Sequence, residues 1–235
     1  MKIIHKNQLK TAAAMACVGL LTLTVQSGKA QNLLTDPGFE GQITAPNPNP
    51  TGVPGWANFN GAQFSQTYAH SGSWSLYTPD SGGGYSVPGS YQVFAATAGQ
   101  TFTLSGWVYT PNALVANDND FAILQLSFFA GSPPNNYGGT GVGPAYGVNV
   151  GDPNGGGGVA LPQGVWTFAS VTAIAPAGAN SMGAYVLDIN ADPNADFYFD
   201  DLTLTASPVP EPATLSLCAL GGLAGFAGLR LRRKA

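Results

Sequence analysis

Between Ala30 and Val209 the chain contains no lysine, no arginine and no cysteine, and only one histidine (His70) and one glutamate (Glu40). All eight basic residues lie at the ends, at Lys2, Lys6, Lys10 and Lys29 and at Arg230, Arg232, Arg233 and Lys234. Eleven of the twelve acids lie between Ala30 and Val209, so the body carries a formal charge of −11 although the whole chain carries −4. Such a body repels phosphate backbones and anionic headgroups, which excludes nucleic acid as a partner and leaves cations and neutral ligands. The missing residue types also remove the thiol nucleophile, the Schiff-base lysine, the phosphate-binding arginine and the histidine-rich zinc site. Cys17 and Cys218 fall in the terminal segments, so the body has no disulfide; at about 175 residues it is long enough to bury a core without one. Trypsin is expected to leave residues 31–209 uncut even when the chain is unfolded, and an internal tryptic fragment in a mass spectrum would contradict this reading.

The remaining enzyme readings are few. A Ser-His-Asp triad would have to use His70, which its turn-like surroundings predict to be exposed and solvated. Hydrolysis by paired carboxylates needs two acids facing a cleft. Asp118 with Asp120, and Asp192 with Asp196, sit among Asn and Pro and read as solvated loop acids. The expectation is that the protein is not an enzyme.

The ends read as sorting segments. Residues 1–30 have a basic start, an apolar run from Thr11 to Val25 and the small-residue site Gly28-Lys29-Ala30, the form of a signal peptide cleaved after Ala30. Residues 208–235 run Pro210-Glu211-Pro212, then an uncharged stretch from Ala213 to Leu229, then Arg230, Arg232, Arg233 and Lys234. Composition alone reads the uncharged stretch as a short transmembrane helix with its basic end in the cytoplasm. The order of these features resembles the PEP-CTERM sorting signal of Gram-negative bacteria. The resemblance implies an exosortase-type enzyme as partner, transient anchoring in the inner membrane, and delivery to the envelope, cell surface or extracellular matrix. A permanent anchor is the alternative.

Residues 31–207 read as all-β. Alternation is clear at Thr101–Leu104 and Phe197–Leu204, while Phe121–Phe129 is a more continuous apolar run, suited to a strand buried on both faces. Further strands are expected at Ala62–Tyr68, Ser73–Thr78, Tyr91–Ala95, Val165–Ala173 and Met182–Ile189, split by Gly, Pro, Asn and Asp clusters. This pattern predicts a two-sheet sandwich or barrel. Residues 131–164 are too long for an ordinary connection, leaving a binding loop or a disordered insertion.

Several segments are similar, in order, to the galactose-binding-like jelly rolls that include many carbohydrate-binding modules. These are Asn32 to Gly41, Pro54-Gly55-Trp56, His70 to Leu76, Val165 to Phe168 and the closing Phe197-Tyr198-Phe199-Asp200-Asp201-Leu202. The resemblance implies a two-sheet jelly-roll β-sandwich whose last strand pairs beside the first, with a structural calcium where they meet. Asp200 shares a strand face with Tyr198, Leu202 and Leu204. If that face is buried, its carboxylate has no basic residue in the body to pair with, and a cation is the economical partner. The expected ligands are Glu40 and Asp200 by side chain, with carbonyls near Ser71 and Gly72 by analogy, and Asp201 if the face is the other one. Solvated acids at strand ends are the alternative.

The resemblance also implies carbohydrate binding, possible through rings that stack on sugars and amides that bind hydroxyls. Trp107 and Trp166 read as core and Trp56 as covering one end of the sandwich. Trp74, Tyr77, Tyr85, Tyr91, Tyr137 and Tyr146 remain as candidate platforms. A purely structural matrix protein is the second reading. An aromatic row on one sheet face would favour binding.

Overall fold

A computed structural model describes residues 31–49, 51–79, 85–114, 120–131, 140–152, 158–189 and 195–207. The expected signal peptide, the segment after Ser207, and with them Asp118, Tyr137 and Asp192, lie outside the described residues. Those described contain eleven strands and no helix long and apolar enough to cross a membrane.

Two antiparallel sheets face each other. The six-stranded sheet joins β1 (Ala57–Phe59), β4 (Gly89–Ala95), β10 (Ser181–Ile189) and β6 (Phe121–Ala130) in that order, with β7 (Thr140–Gly141) and β8 (Tyr146–Val150) both on the far side of β6. The five-stranded sheet runs β2 (Gln63–Ser65), β3 (Ser75–Thr78), β11 (Phe197–Ser207), β5 (Thr101–Tyr109), β9 (Thr167–Ile174). Period-2 alternation builds the core between them. Phe102, Leu104 and Val108 point inward from β5, Ala122, Leu124, Leu126 and Phe128 from β6, and Met182, Ala184 and Val186 from β10.

The opening segment departs from the strand the resemblance implies. It is assigned no strand, yet it straps the sheets together: Leu33 N–H donates to the Leu204 carbonyl (2.8 Å), and Thr35 exchanges two hydrogen bonds with the buried amide of Gln92 on β4. Residues 36–42 then form a tight coil in which Asp36, Phe39 and Gln42 all have positive φ. Left-handed backbone at non-glycine residues is held only where the surroundings over-determine it. Here Phe39 is fully buried against Trp56, the Trp56 indole donates to the Asp36 carbonyl (2.9 Å), and the Asp36 carboxylate accepts the N–H groups of Gly41 and Ile43.

Candidate functional site

Two regions combine polar chemistry with special geometry. The first is the junction of the opening coil, the segment from His70 to Trp74, and the middle of β11. A bulge between Asp200 and Thr203 shifts β11 by one residue against β5. Phe197 and Phe199 before the bulge, and Leu202 and Leu204 after it, all reach the core, so of Tyr198, Leu202 and Leu204 only Tyr198 shares a face with Asp200. The expected alternation with Leu202 and Leu204 is therefore broken. Asp200 lies opposite Trp107 on the outer face of the five-stranded sheet, but it is fully buried there because residues 68–74 pack over it.

Both expected carboxylates bind this one turn of backbone. Asp200 Oδ2 accepts the N–H groups of His70 (2.7 Å) and Ser71 (3.1 Å), and its Oδ1 accepts that of Asp201 (2.7 Å). Glu40 Oε1 accepts the N–H groups of Ser73 (2.7 Å) and Trp74 (2.8 Å). Burial pushes the Asp200 carboxyl up to about 6, against the three amides, which favour its charged form. Gly72 has φ of 63°, and a Cβ there would lie 2.2 Å from Glu40 Oε1, so only glycine allows the close approach.

The donor set suits a hard cation in its charge, with two carboxylates and no basic side chain to compete, but only partly in its orientation. A trans peptide sets N–H and C=O antiparallel. With the Ser73 N–H aimed at Glu40, the Gly72 carbonyl points away from that carboxylate. Among the described residues no three His, Cys, Asp or Glu side chains are grouped closely enough to hold a metal by themselves.

His70 is not the solvated residue its turn suggested. Its ring stacks on Trp107 with centroids 4.1 Å apart, and Nδ1 lies 2.7 Å from Asp201 Oδ2. Ser71 Oγ donates to the other oxygen of Asp201 (2.8 Å). Serine and histidine thus both end on the acid, without the hydroxyl-to-imidazole contact of a nucleophile–base pair.

The neighbouring rings continue this outer face. Tyr68 packs on Tyr109 (4.7 Å) and Tyr198 (5.0 Å), Tyr77 stacks on Tyr198 (4.9 Å), and Tyr109 meets Trp166 (5.2 Å). Burial, and then the charge of Asp196, push the Tyr198 phenol up to about 12. Trp107 and Trp166 are therefore half-buried members of an aromatic row outside the core, whereas Trp56 is fully buried. Asp120, expected as a solvated loop acid, is buried at the start of β6, and Asp196 accepts a hydrogen bond from Tyr77 (2.7 Å).

The second region is an open groove of ≈ 360 Å³ on the outer face of the six-stranded sheet. Phe59, Phe129, Tyr185 and Leu187, each at most 9% exposed and packed together as a second apolar cluster, form its floor with the half-buried Val87, and Gln125 and Ser127 supply its polar groups. Tyr185 stacks on Tyr91 (5.0 Å, 20°), and Tyr91 is anchored from behind by Asn47 and Asn49. Gln125 Nε2 donates to Ser127 Oγ (3.0 Å), so each holds the other in place along β6. The run from Phe121 to Phe129 is thus buried on its core face and half-open on the other. Of the residues expected as ring platforms, Tyr91 lies beneath the groove, Trp74 and Tyr146 pack against the core, Tyr77 joins the outer row, and Tyr85 is 73% exposed. Sequence reasoning missed Tyr185, Gln125 and Ser127; the signal was that Phe121–Phe129 is interrupted on one face only, by Gln125 and Ser127.

Among solved structures, the body is similar to a family 16 carbohydrate-binding module (19% identity, 74% of this chain and 99% of that one, TM-score 0.47). It is also similar to TmCBM61, determined with β-1,4-galactotriose (14%, 76% and 100%, TM-score 0.45), and to a Stig cyclase from Fischerella sp. TAU (14%, 77% and 99%, TM-score 0.47). No curated protein sequence matches the chain. Residues 208–234 match the PEP-CTERM protein-sorting motif, so the all-β body is followed by a signal of export and envelope association.

Proposed function

We propose that the groove on the six-stranded sheet binds a neutral polysaccharide and that the protein acts as a non-catalytic binding module at the cell surface or in the extracellular matrix. The observation that carries this reading is the pairing, in one open groove, of an aromatic floor with an oriented amide and hydroxyl. Aromatic faces accept the C–H faces of sugar rings, and Gln and Ser bind their hydroxyls. The absence of lysine and arginine between Ala30 and Val209 disfavours acidic glycans. Pro210, Glu211, Pro212 and the arginines at 230, 232 and 233 would be read by an exosortase-type enzyme, with the precursor held transiently in the inner membrane.

The Gln125→Leu/Ser127→Ala double variant tests the groove. Removing two hydrogen-bonding groups is expected to weaken binding about ten-fold, at ~0.5–1.5 kcal/mol per bond, with little change in melting temperature. Affinity electrophoresis through gels containing β-glucan, xylan or galactan reads the difference. Equal retardation of both proteins would remove the groove from the account, and no retardation of either would leave a structural matrix protein.

Calcium is the proposed structural partner of the junction. Glu40 and Asp200 would hold it by side chain, and its charge would neutralise the buried carboxylate and tie the opening coil to β11. The Gly72 carbonyl would join the set only once the Gly72–Ser73 peptide has turned over, and the Ser71 carbonyl, in the preceding peptide, would be the other backbone ligand.

A further inference from the structure

We propose that the outer face of the five-stranded sheet, on the opposite side of the sandwich from the groove, is a second binding surface that takes ordered arrays of neutral polysaccharide. Thr205, Thr103 and Thr172 lie side by side across β11, β5 and β9, and Thr203, Ser105 and Ser170 form the next row of the same face. All six are half-buried or exposed. Adjacent strands lie about 4.8 Å apart and alternate residues about 6.7 Å apart, so these hydroxyls form a regular lattice. One contact within it is direct, with Thr103 Oγ1 and Thr172 Oγ1 2.8 Å apart.

Threonine is a good strand former, which accounts for individual residues in these rows. It does not account for the absence of charge. Exposed sheet faces ordinarily carry interspersed charges that keep them soluble and unpaired, and these two rows carry none. Toward the bulge the lattice passes into rings: Trp107 follows Ser105 on β5, and Phe168, 50% exposed, lies beside it on β9 with centroids 5.5 Å apart.

Charge selects the occupant. The body around this plate is acidic, so anionic polymers are repelled. A second copy of the chain would set hydroxyls against hydroxyls, because the exposed apolar side chains of this face, Phe168 and Ile174, lie on its edge strand β9 and leave no apolar centre of the kind a stable protein interface has. A packed neutral polysaccharide presents repeating hydroxyls that both donate and accept, as serine and threonine do, together with C–H faces for the exposed ring of Phe168, Trp107 being covered by His70. The surface is independent of the groove, which is suited to a single chain.

The test compares the exported protein with its Thr172→Glu/Thr205→Glu variant in pelleting assays on microcrystalline cellulose and α-chitin. The two positions lie on different strands with β5 between them, and an unchanged melting temperature and a Thr172→Ser/Thr205→Ser control verify that the fold is intact. The expected result is that wild type and the serine variant pellet with at least one solid, that the glutamate variant loses about ten-fold of that affinity (~1.4 kcal/mol), and that binding of soluble glycan in the groove is unchanged. Failure of the wild type to pellet with either solid, or equal pelleting of the glutamate variant, would overturn the proposal. A wild-type dimer in sedimentation that the glutamates dissolve, without pelleting, would assign the face to self-association and overturn it as well.

Discussion

In EDTA the protein is expected to lose stability as the pH rises from about 4 to about 6, and the Asp200→Asn variant is expected to lack that component of the loss. The sign follows from the raised pKa. Between the ordinary carboxylate value of 3.8 and the folded value of about 6, the folded chain holds a proton on Asp200 that the unfolded chain has released. Folding is therefore favoured on the acid side, and the advantage disappears as pH climbs through the folded pKa. At ~1.4 kcal/mol per unit the whole effect is about 3 kcal/mol. Above pH 6 the buried carboxylate is charged without a basic partner, which is where a cation would stabilise the protein most. Adding calcium at pH 7 is expected to recover that stability in the wild type, about 6–12 °C in melting temperature for a domain of this size, and to do little for Asp200→Asn or Glu40→Gln. Denaturant titrations at several pH values, with and without calcium, check both parts. An identical pH slope in wild type and Asp200→Asn would show that Asp200 is not the buried acid responsible, and equal calcium responses would move the ion elsewhere.

Trp56→Ala is expected to be the more damaging change, costing about 3–5 kcal/mol in urea unfolding, as truncation of a fully buried large side chain does. Trp56 packs on Phe39 at 5.1 Å and donates to the Asp36 carbonyl, so its loss also frees the left-handed coil that carries Glu40. The variant should accordingly respond less to calcium, while Trp56→Phe, which keeps most of the packing, should fall between. A loss below about 1 kcal/mol for the alanine variant would mean that the coil is held by other contacts.

How far the fold was legible depended on the length of the strands. Alternation marked β5 and β11, a continuous apolar run marked β6, and β10, expected at Met182–Ile189, is apolar along most of its length because it is buried on both faces. β1 and β8 were not expected. Ala57–Phe59 is too short to show a period, and Tyr146–Val150 lies among glycines and prolines that read as loop, although it forms five pairs with β6. It gives order to part of residues 131–164, for which sequence left a binding loop or a disordered insertion.

The junction was legible in its residues but not in its orientation. Glu40, Asp200, Ser71 and Gly72 do meet along one turn. The bulge that places Asp200 on the outer face, however, depends on Asp201 adopting φ of 47°, and no spacing rule signals that. The same blind spot misplaced Trp107 and Trp166. Their apolar neighbours suggested core, but β5 alternates strictly, and Val108 occupies the inward position beside Trp107. The groove was hardest to see, because its lining comes from β1, β6 and β10 and from Val87, brought together only by sheet order.

The most direct test of the central claim is to map amide and side-chain chemical shifts of the exported protein during titration with a soluble neutral polysaccharide. The account predicts that the largest saturable changes fall on Gln125, Ser127, Phe129, Tyr185 and Leu187, lining the groove. Saturable changes confined to other surfaces, or none with any neutral glycan, would contradict it.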